Sequence, residues 1–166
     1  MQAEITGWVS GRLPDGWFSG PPSVEVDREE IVIVGDVGEP AVDGGDAAGA
    51  AARAARIARF REETRGQRMR IADEAEHRFA KKVSWGAQSG DRTEVFTNVS
   101  VPVMTRLRQP ERRVLDTLVD AGVARSRSDA LAWCVKLVGA NQAEWIERLR
   151  ASLEEVERVR SEGPTT

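Results

Sequence analysis

The sequence of 166 residues contains one cysteine, Cys134, one histidine, His77, and no tyrosine. A single cysteine excludes a disulfide bond within the chain and is typical of a reducing compartment, so we expect a cytoplasmic protein. No set of Cys and His side chains has the spacing of metal ligands. No glycine-rich phosphate loop is present, and no serine is paired with a base. We therefore predict no metal, no cofactor and no enzymatic activity.

Long apolar runs are also missing. No run approaches the roughly 20 residues that a membrane-spanning helix requires. The N-terminus carries Glu4 and lacks the early basic cluster of a secretory signal. With 40% hydrophobic and 31% charged residues, the composition is that of an ordinary globular protein. We expect no membrane partner.

The net charge of −3 conceals an uneven distribution. Residues 1–46 hold two basic against ten acidic residues, a net charge of −8. Residues 47–108 hold thirteen against seven, a net charge of +6, and residues 109–166 hold nine against ten. Either the acidic front neutralises the basic middle across a domain or subunit contact, or the basic middle faces phosphates while the front stays solvated.

The acidic front is predicted to be a small antiparallel β region. A first strand is expected around Ile5 and Val9. Val24 and Val26 alternate with acidic residues, and an apolar strand follows at 31–34, so these two strands should form a hairpin. The aromatic residues of this region either fill a small β core or form a face that binds a partner or an effector.

A long basic helix is predicted over 50–81, with a bend or break at Gly66. A flexible, glycine-rich linker is expected before it. The helix carries a row of arginines that is either a secondary basic surface for a phosphate backbone or a solvated face. These residues are Arg53, Arg56, Arg59, Arg61, Arg65, Arg68 and Arg70.

A β-hairpin starting near Lys82 is predicted to lead into a strand over 94–103. The first half of this strand can pair within the chain, whereas its second half is free to pair with another copy. In that half, apolar and small or polar side chains alternate with the period of a half-buried strand. The inward set is Val99, Val101 and Val103, and the outward set is Asn98, Ser100 and Pro102.

Two helices are predicted after this strand. The first begins at 109–111, where a proline favours a helix start, and the second begins at Ser126, with Asp129 three residues on as in a capping box. The second helix has apolar residues on two surfaces, so it requires two apolar partners. Such a helix, beside a strand without a local mate, indicates a module that a second copy completes.

The segments 118–122 (LVDAG) and 125–131 (RSRSDAL) resemble the ribbon-helix-helix family of Arc/MetJ-type dimeric DNA-binding proteins. The resemblance covers residues 95–138. It implies a homodimer whose paired strands, the ribbon, lie in the major groove of DNA. The implied base-facing residues are Asn98, Ser100 and Pro102. The implied phosphate contacts are Arg125, Ser126, Arg127 and Ser128, and the implied dimer core is Val99, Val101, Val103, Leu118, Leu131, Trp133 and Val135.

Two functions remain open. The first is a homodimeric DNA-binding transcriptional regulator, and the second is an interaction or scaffold protein that uses the same fold only to dimerise. The sequence departs from the family pattern in about four extra residues between the ribbon and the first helix. The outward set Asn98, Ser100 and Pro102 favours the second function, because Ser100 reads base edges weakly and Pro102 cannot, and the acidic overall charge favours it too.

The whole chain is predicted to be α+β. The expected segments are 1–37 (acidic β region), 38–49 (linker), 50–81 (basic helix), 82–140 (hairpin and ribbon-helix-helix module), 141–160 (packing helix) and 161–166 (disordered tail). The last helix should pack on the dimer core through a short apolar seam, with Trp145 buried beside it.

Overall fold

A computed structural model describes residues 1–43 and 45–163. The chain divides into two compact units. Met1–Val103 is called the N-terminal unit below, and the part beginning at Met104 is called the C-terminal unit. The architecture is mixed α+β, which confirms the predicted class. All described strands lie in the N-terminal unit.

Four strands form one sheet in the order β1-β2-β3-β4. The strands are β1 (Ser23–Val26), β2 (Glu30–Asp36), β3 (Lys82–Ser89) and β4 (Arg92–Val95). Both predicted hairpins are confirmed, since β1 pairs antiparallel with β2 and β3 with β4. The separation of the segments 1–37 and 82–140 is wrong, because β2 pairs in parallel with β3 along its whole length and joins the two hairpins.

The turn between β1 and β2 is closed by Asp27. Its Oδ1 accepts hydrogen bonds from the backbone N–H groups of Glu29 and Glu30, at 2.8 and 2.7 Å. These bonds stabilise the ionised carboxylate and lower the pKa of Asp27. The strand that contains Val24 and Val26 is therefore followed by a turn that the Asp27 side chain stabilises through hydrogen bonds to the backbone.

The strand predicted at Ile5 and Val9 is wrong, because α1 (Gln2–Arg12) is a helix. Two glycines and β-branched residues give this segment a weak helix propensity. Ile5 and Val9 are one helical turn apart, and both side chains are fully buried in the core of the N-terminal unit. Burial of this apolar pair outweighs the local propensity.

Two helices replace the single helix predicted over 50–81. They are α2 (Gly45–Glu63) and α3 (Arg65–Phe79). The interruption lies at Thr64, two residues before the predicted break at Gly66. Because α2 begins at Gly45, the predicted linker 38–49 is too long, and its residue 44 lies outside the described part.

The core of the N-terminal unit lies between the sheet and its helices. Ile31 and Ile33 of β2 and Trp85 of β3 form a common cluster with residues of α1 and α3. A second cluster joins Ile57 and Phe60 of α2 to Ala87 of β3 and to Val37, which follows β2. The aromatic residues of the acidic front belong to this core, which agrees with the first of the two interpretations; Trp17, for instance, packs edge-on against Phe60 and Trp85.

The C-terminal unit contains three helices in its described part. They are α4 (Gln109–Asp120), α5 (Arg127–Asn141) and α6 (Ala143–Glu162). The segment 82–140 is therefore not one module, because β3 and β4 belong to the N-terminal unit. The tail predicted at 161–166 begins too early, since residues 161–162 are helical, and 164–166 lie outside the described part.

Within the described residues, none of the helices combines the length and the apolar character needed to cross a bilayer.

Candidate nucleic-acid interface

The turn between α4 and α5 holds the two helices around a small core. Gly122 has a φ of +72°, a left-handed conformation that glycine adopts without strain. The N–H of Val123 donates to the carbonyl oxygen of Leu118, which closes the end of α4. Leu115 of α4 and Ala130 of α5 are buried against each other's helix. This contact fixes the position of the first turn of α5.

The start of α5 is capped as the sequence predicts. The Oγ atom of Ser126 accepts a hydrogen bond from the N–H of Asp129 at 3.2 Å. The Oδ2 atom of Asp129 accepts one from the N–H of Arg125 at 3.0 Å. This reciprocal pair satisfies backbone donors that the helix itself leaves free. The remaining N–H groups of the first turn are available to an anion.

Replacing Ser126 by alanine is expected to lower the free energy of unfolding by about 1 kcal/mol, because it removes the side-chain oxygen of the cap. Chemical denaturation measures the change. Ser128→Ala is the matched control, since this exposed serine lies inside α5 and makes no cap hydrogen bond. An equal loss in both variants would contradict a role for the cap.

The two arginines that flank this cap have different surroundings. Arg125 is exposed. Arg127 donates to both carboxylate oxygens of Asp116 in α4, at 2.6 and 2.9 Å. This hydrogen bond, followed by the charge of Arg127, lowers the pKa of Asp116. The pair is exposed, so little free energy opposes the transfer of Arg127 to another anion.

The strand predicted over 94–103 is wrong beyond Val95 in the single chain, and the residues predicted for the ribbon have no strand partner among the described residues. Residues 97–108 contain no hydrogen-bonded strand, and β4 ends at Val95. The outward residues Asn98, Ser100 and Pro102 are exposed. Val101 of the inward set is 45% exposed. The pairing of this segment with a second copy stays a prediction.

The residues predicted for the dimer core are incompletely covered in a single chain. Leu118 and Leu131 are partly buried, whereas Trp133 and Val135 are 39% and 65% exposed. Trp145 of α6 is 51% exposed, so its predicted burial is wrong for the single chain. The apolar seam of α6 is likewise uncovered. The reason is that these helices have too few partners among the described residues of their own unit.

The predicted basic surface on α2 and α3 is divided between structural and exposed arginines. Arg53 forms ion pairs with Glu39 and Asp91, and the Nε atom of Arg56 donates to the carbonyl oxygen of Val37. Arg68 is buried. The exposed members are Arg59, Arg61, Arg65 and Arg70. The row of arginines is therefore not one continuous surface.

Four exposed arginines at the start of α4 were not among the predicted contacts. Positions 106–113 hold four arginines and one glutamate. The Nη1 atom of Arg112 donates to the carbonyl oxygen of Leu107, and none of the four forms an ion pair within the described residues. A local count of charges identifies this cluster directly. The set is Arg106, Arg108, Arg112 and Arg113.

Comparisons with known proteins match both units. Residues 3–95 match the family model described as Rv1265-like protein, N-terminal domain, and residues 108–160 match the model described as Mb1296 C-terminal domain. The uncharacterized proteins Rv1265 of Mycobacterium tuberculosis and Mb1296 of Mycobacterium bovis are each 55% identical to the chain over 157 residues. The aligned region covers 95% of this chain and 69% of each relative. No solved structure gives a significant match. The chain therefore belongs to the Rv1265-like family.

Proposed function

We propose that the protein is a cytoplasmic, homodimeric DNA-binding transcriptional regulator of the ribbon-helix-helix type. In this proposal the N-terminal unit contacts a partner or an effector. The observation that carries the proposal is the capped start of α5, where unpaired backbone N–H groups and flanking arginines form a site suited to a DNA phosphate. The resemblance of residues 95–138 to the ribbon-helix-helix family supports the same function.

The charges around α4 and α5 support contact with a phosphate backbone. Arg125 is free of ion pairs within the described residues, and Arg127 has only the exposed partner Asp116. The arginine cluster at 106–113 adds positive charge to the same unit. Each arginine that neutralises a phosphate releases counterions, and this release favours binding.

The uncovered apolar residues support a homodimer. A soluble monomer seldom exposes a large contiguous apolar surface. In the C-terminal unit, the described residues with nearly full burial of an apolar side chain are Leu115, Ala124 and Ala130. A second copy would cover the exposed residues of α5 and α6, and it would also supply the missing strand partner of residues 97–103.

Binding of labelled duplex DNA by the wild-type protein tests the proposal. Fluorescence anisotropy should show binding at about 50 mM salt, with log K falling linearly as log salt rises. A pool of genomic fragments should contain sites that bind more tightly than random duplex by about 1,000-fold or more, because base contacts add to phosphate contacts. No binding to any duplex at low salt would contradict the proposal.

The alternative function is an interaction or scaffold protein that dimerises through the same elements. Three observations favour it: Pro102 lacks a hydrogen-bond donor, Arg127 is already paired with Asp116, and the net charge is negative. This alternative predicts a dimer that does not bind DNA.

A further inference from the structure

A cleft in the N-terminal unit has no place in the proposed DNA contacts. It has a volume of about 350 Å³ and lies where α2 passes into α3, beside the residues that follow β4. This volume is at the lower end of the range for small-molecule sites. The lining residues are Arg61, Glu62, Arg65, Arg68, Met69, Phe96 and Thr97.

The wall of the cleft contains a largely buried guanidinium group that has no carboxylate partner among the described residues. Arg68 is only 6% exposed. Its Nε atom donates to Oγ1 of Thr64 at 2.9 Å, and its Nη2 atom donates to the carbonyl oxygen of Arg61 at 2.6 Å. Its Nη1 atom makes no hydrogen bond within the described part of the chain and retains contact with solvent. A largely buried cation whose hydrogen-bond acceptors are all neutral oxygens has no anion to balance its charge.

Two further arginines raise the positive potential of the same cleft. The guanidinium groups of Arg61 and Arg68 lie over the ring of Phe96, at 5.5 and 4.9 Å from its centre. Burial, followed by the charges of Arg61 and Arg65, lowers the pKa of Arg68. Glu62 is the one acidic residue of the lining, and it forms no ion pair with these arginines among the described residues.

We propose that this cleft binds a small, free phosphate monoester. The phosphate group would lie among the guanidinium groups and accept a hydrogen bond from Nη1 of Arg68, since guanidinium forks fit phosphate oxygens. The ring of Phe96 offers an apolar surface to the remainder of the ligand. The proposal concerns residues of the N-terminal unit alone and does not depend on DNA binding.

Calorimetric titration of the full-length protein with glycerol phosphate and with inorganic phosphate tests the proposal, in chloride buffer of constant ionic strength. Arg61→Gln combined with Arg65→Gln should weaken binding by about tenfold or more, because charge-assisted hydrogen bonds are lost. Arg59→Gln combined with Arg70→Gln is the control, because it removes the same charge from exposed positions of α2 and α3 outside the cleft. The control should bind as the wild-type protein does.

Several outcomes would overturn the proposal. One is a wild-type protein that releases no heat with either phosphate, in which case Arg68 serves only to join α2 to α3. Another is an equal loss in both double variants, which would indicate a diffuse positive field rather than a site. A third is binding to vesicles containing phosphatidic acid or to duplex DNA that is lost in the Arg61→Gln, Arg65→Gln variant, without binding of the free monoester.

Discussion

Val101→Glu is expected to convert the proposed homodimer into a monomer. In the proposed ribbon the Val101 side chain faces the shared core of two chains, whereas it is 45% exposed in the single chain. Burial of an unpaired carboxylate costs about 3 kcal/mol or more, which corresponds to a dimer dissociation constant at least about 100-fold higher. Light scattering should give a mass near 18.2 kDa for the variant.

Asn98→Glu is the matched control for this prediction. It introduces the same side chain on the opposite face of the strand, since residues an odd number of positions apart face opposite sides. The Asn98→Glu variant should remain dimeric, because position 98 lies opposite Pro102 of the other chain and not opposite its own copy. It should lose DNA binding, because its carboxylate would face the bases. Dimers of equal stability in both variants would contradict the proposed ribbon, in which side chains face the core and the DNA alternately.

Arg125→Ala combined with Arg127→Ala is expected to weaken DNA binding by about 10,000-fold while the dimer persists, because the proposed homodimer carries two copies of each arginine. Each arginine that hydrogen-bonds to a phosphate contributes about 1.5 kcal/mol, and each tenfold change in affinity corresponds to 1.4 kcal/mol. The salt dependence should also become shallower, by about 0.9 in log–log slope for each lost contact. Anisotropy titrations over a salt series measure both effects.

Asp116→Asn is expected to have the opposite effect on DNA binding, because it changes the partner of Arg127. The bidentate partner of Arg127 becomes neutral in this variant, so Arg127 is released and a negative charge near the phosphates is removed. DNA binding should become tighter. Glu147→Gln is the control for charge alone, because Glu147 is an exposed residue of α6 that also pairs with an arginine, Arg150. The scaffold alternative predicts that none of these variants changes any binding to DNA.

Local sequence patterns predicted the elements that local interactions determine. The alternation of Val24 and Val26 predicted a strand, and the pair Ser126 and Asp129 predicted a helix start, because each signal depends on residues only a few positions apart. The helix α1 was missed because its stability comes from burying Ile5 and Val9 against distant strands. A weak local propensity was outweighed by tertiary packing.

Partners that are distant in sequence were not predicted. The parallel pairing of β2 with β3 joins residues separated by two helices. The two strands are not connected by a short turn, so the sequence between them does not predict their pairing. Arg68 was assigned to a surface because arginine is usually exposed, yet its guanidinium group packs against the ring of the distant residue Phe96. Arg127 was assigned a phosphate contact, and its ion pair with Asp116 of the preceding helix was not predicted. The chemistry of these side chains was apparent from the sequence, whereas their contacts depend on the fold.

The central claim is that residues 97–103 of two copies pair as an antiparallel ribbon. In such a ribbon, position 100 lies opposite its own copy in the other chain. A nitroxide label on Ser100→Cys, with Cys134→Ala removing the natural cysteine, reports this proximity by electron paramagnetic resonance. We expect a spectrum broadened by the second label that sharpens when labelled protein is mixed with an excess of unlabelled protein. A sharp spectrum at every mixing ratio would contradict the ribbon and, with it, the proposed binding of DNA.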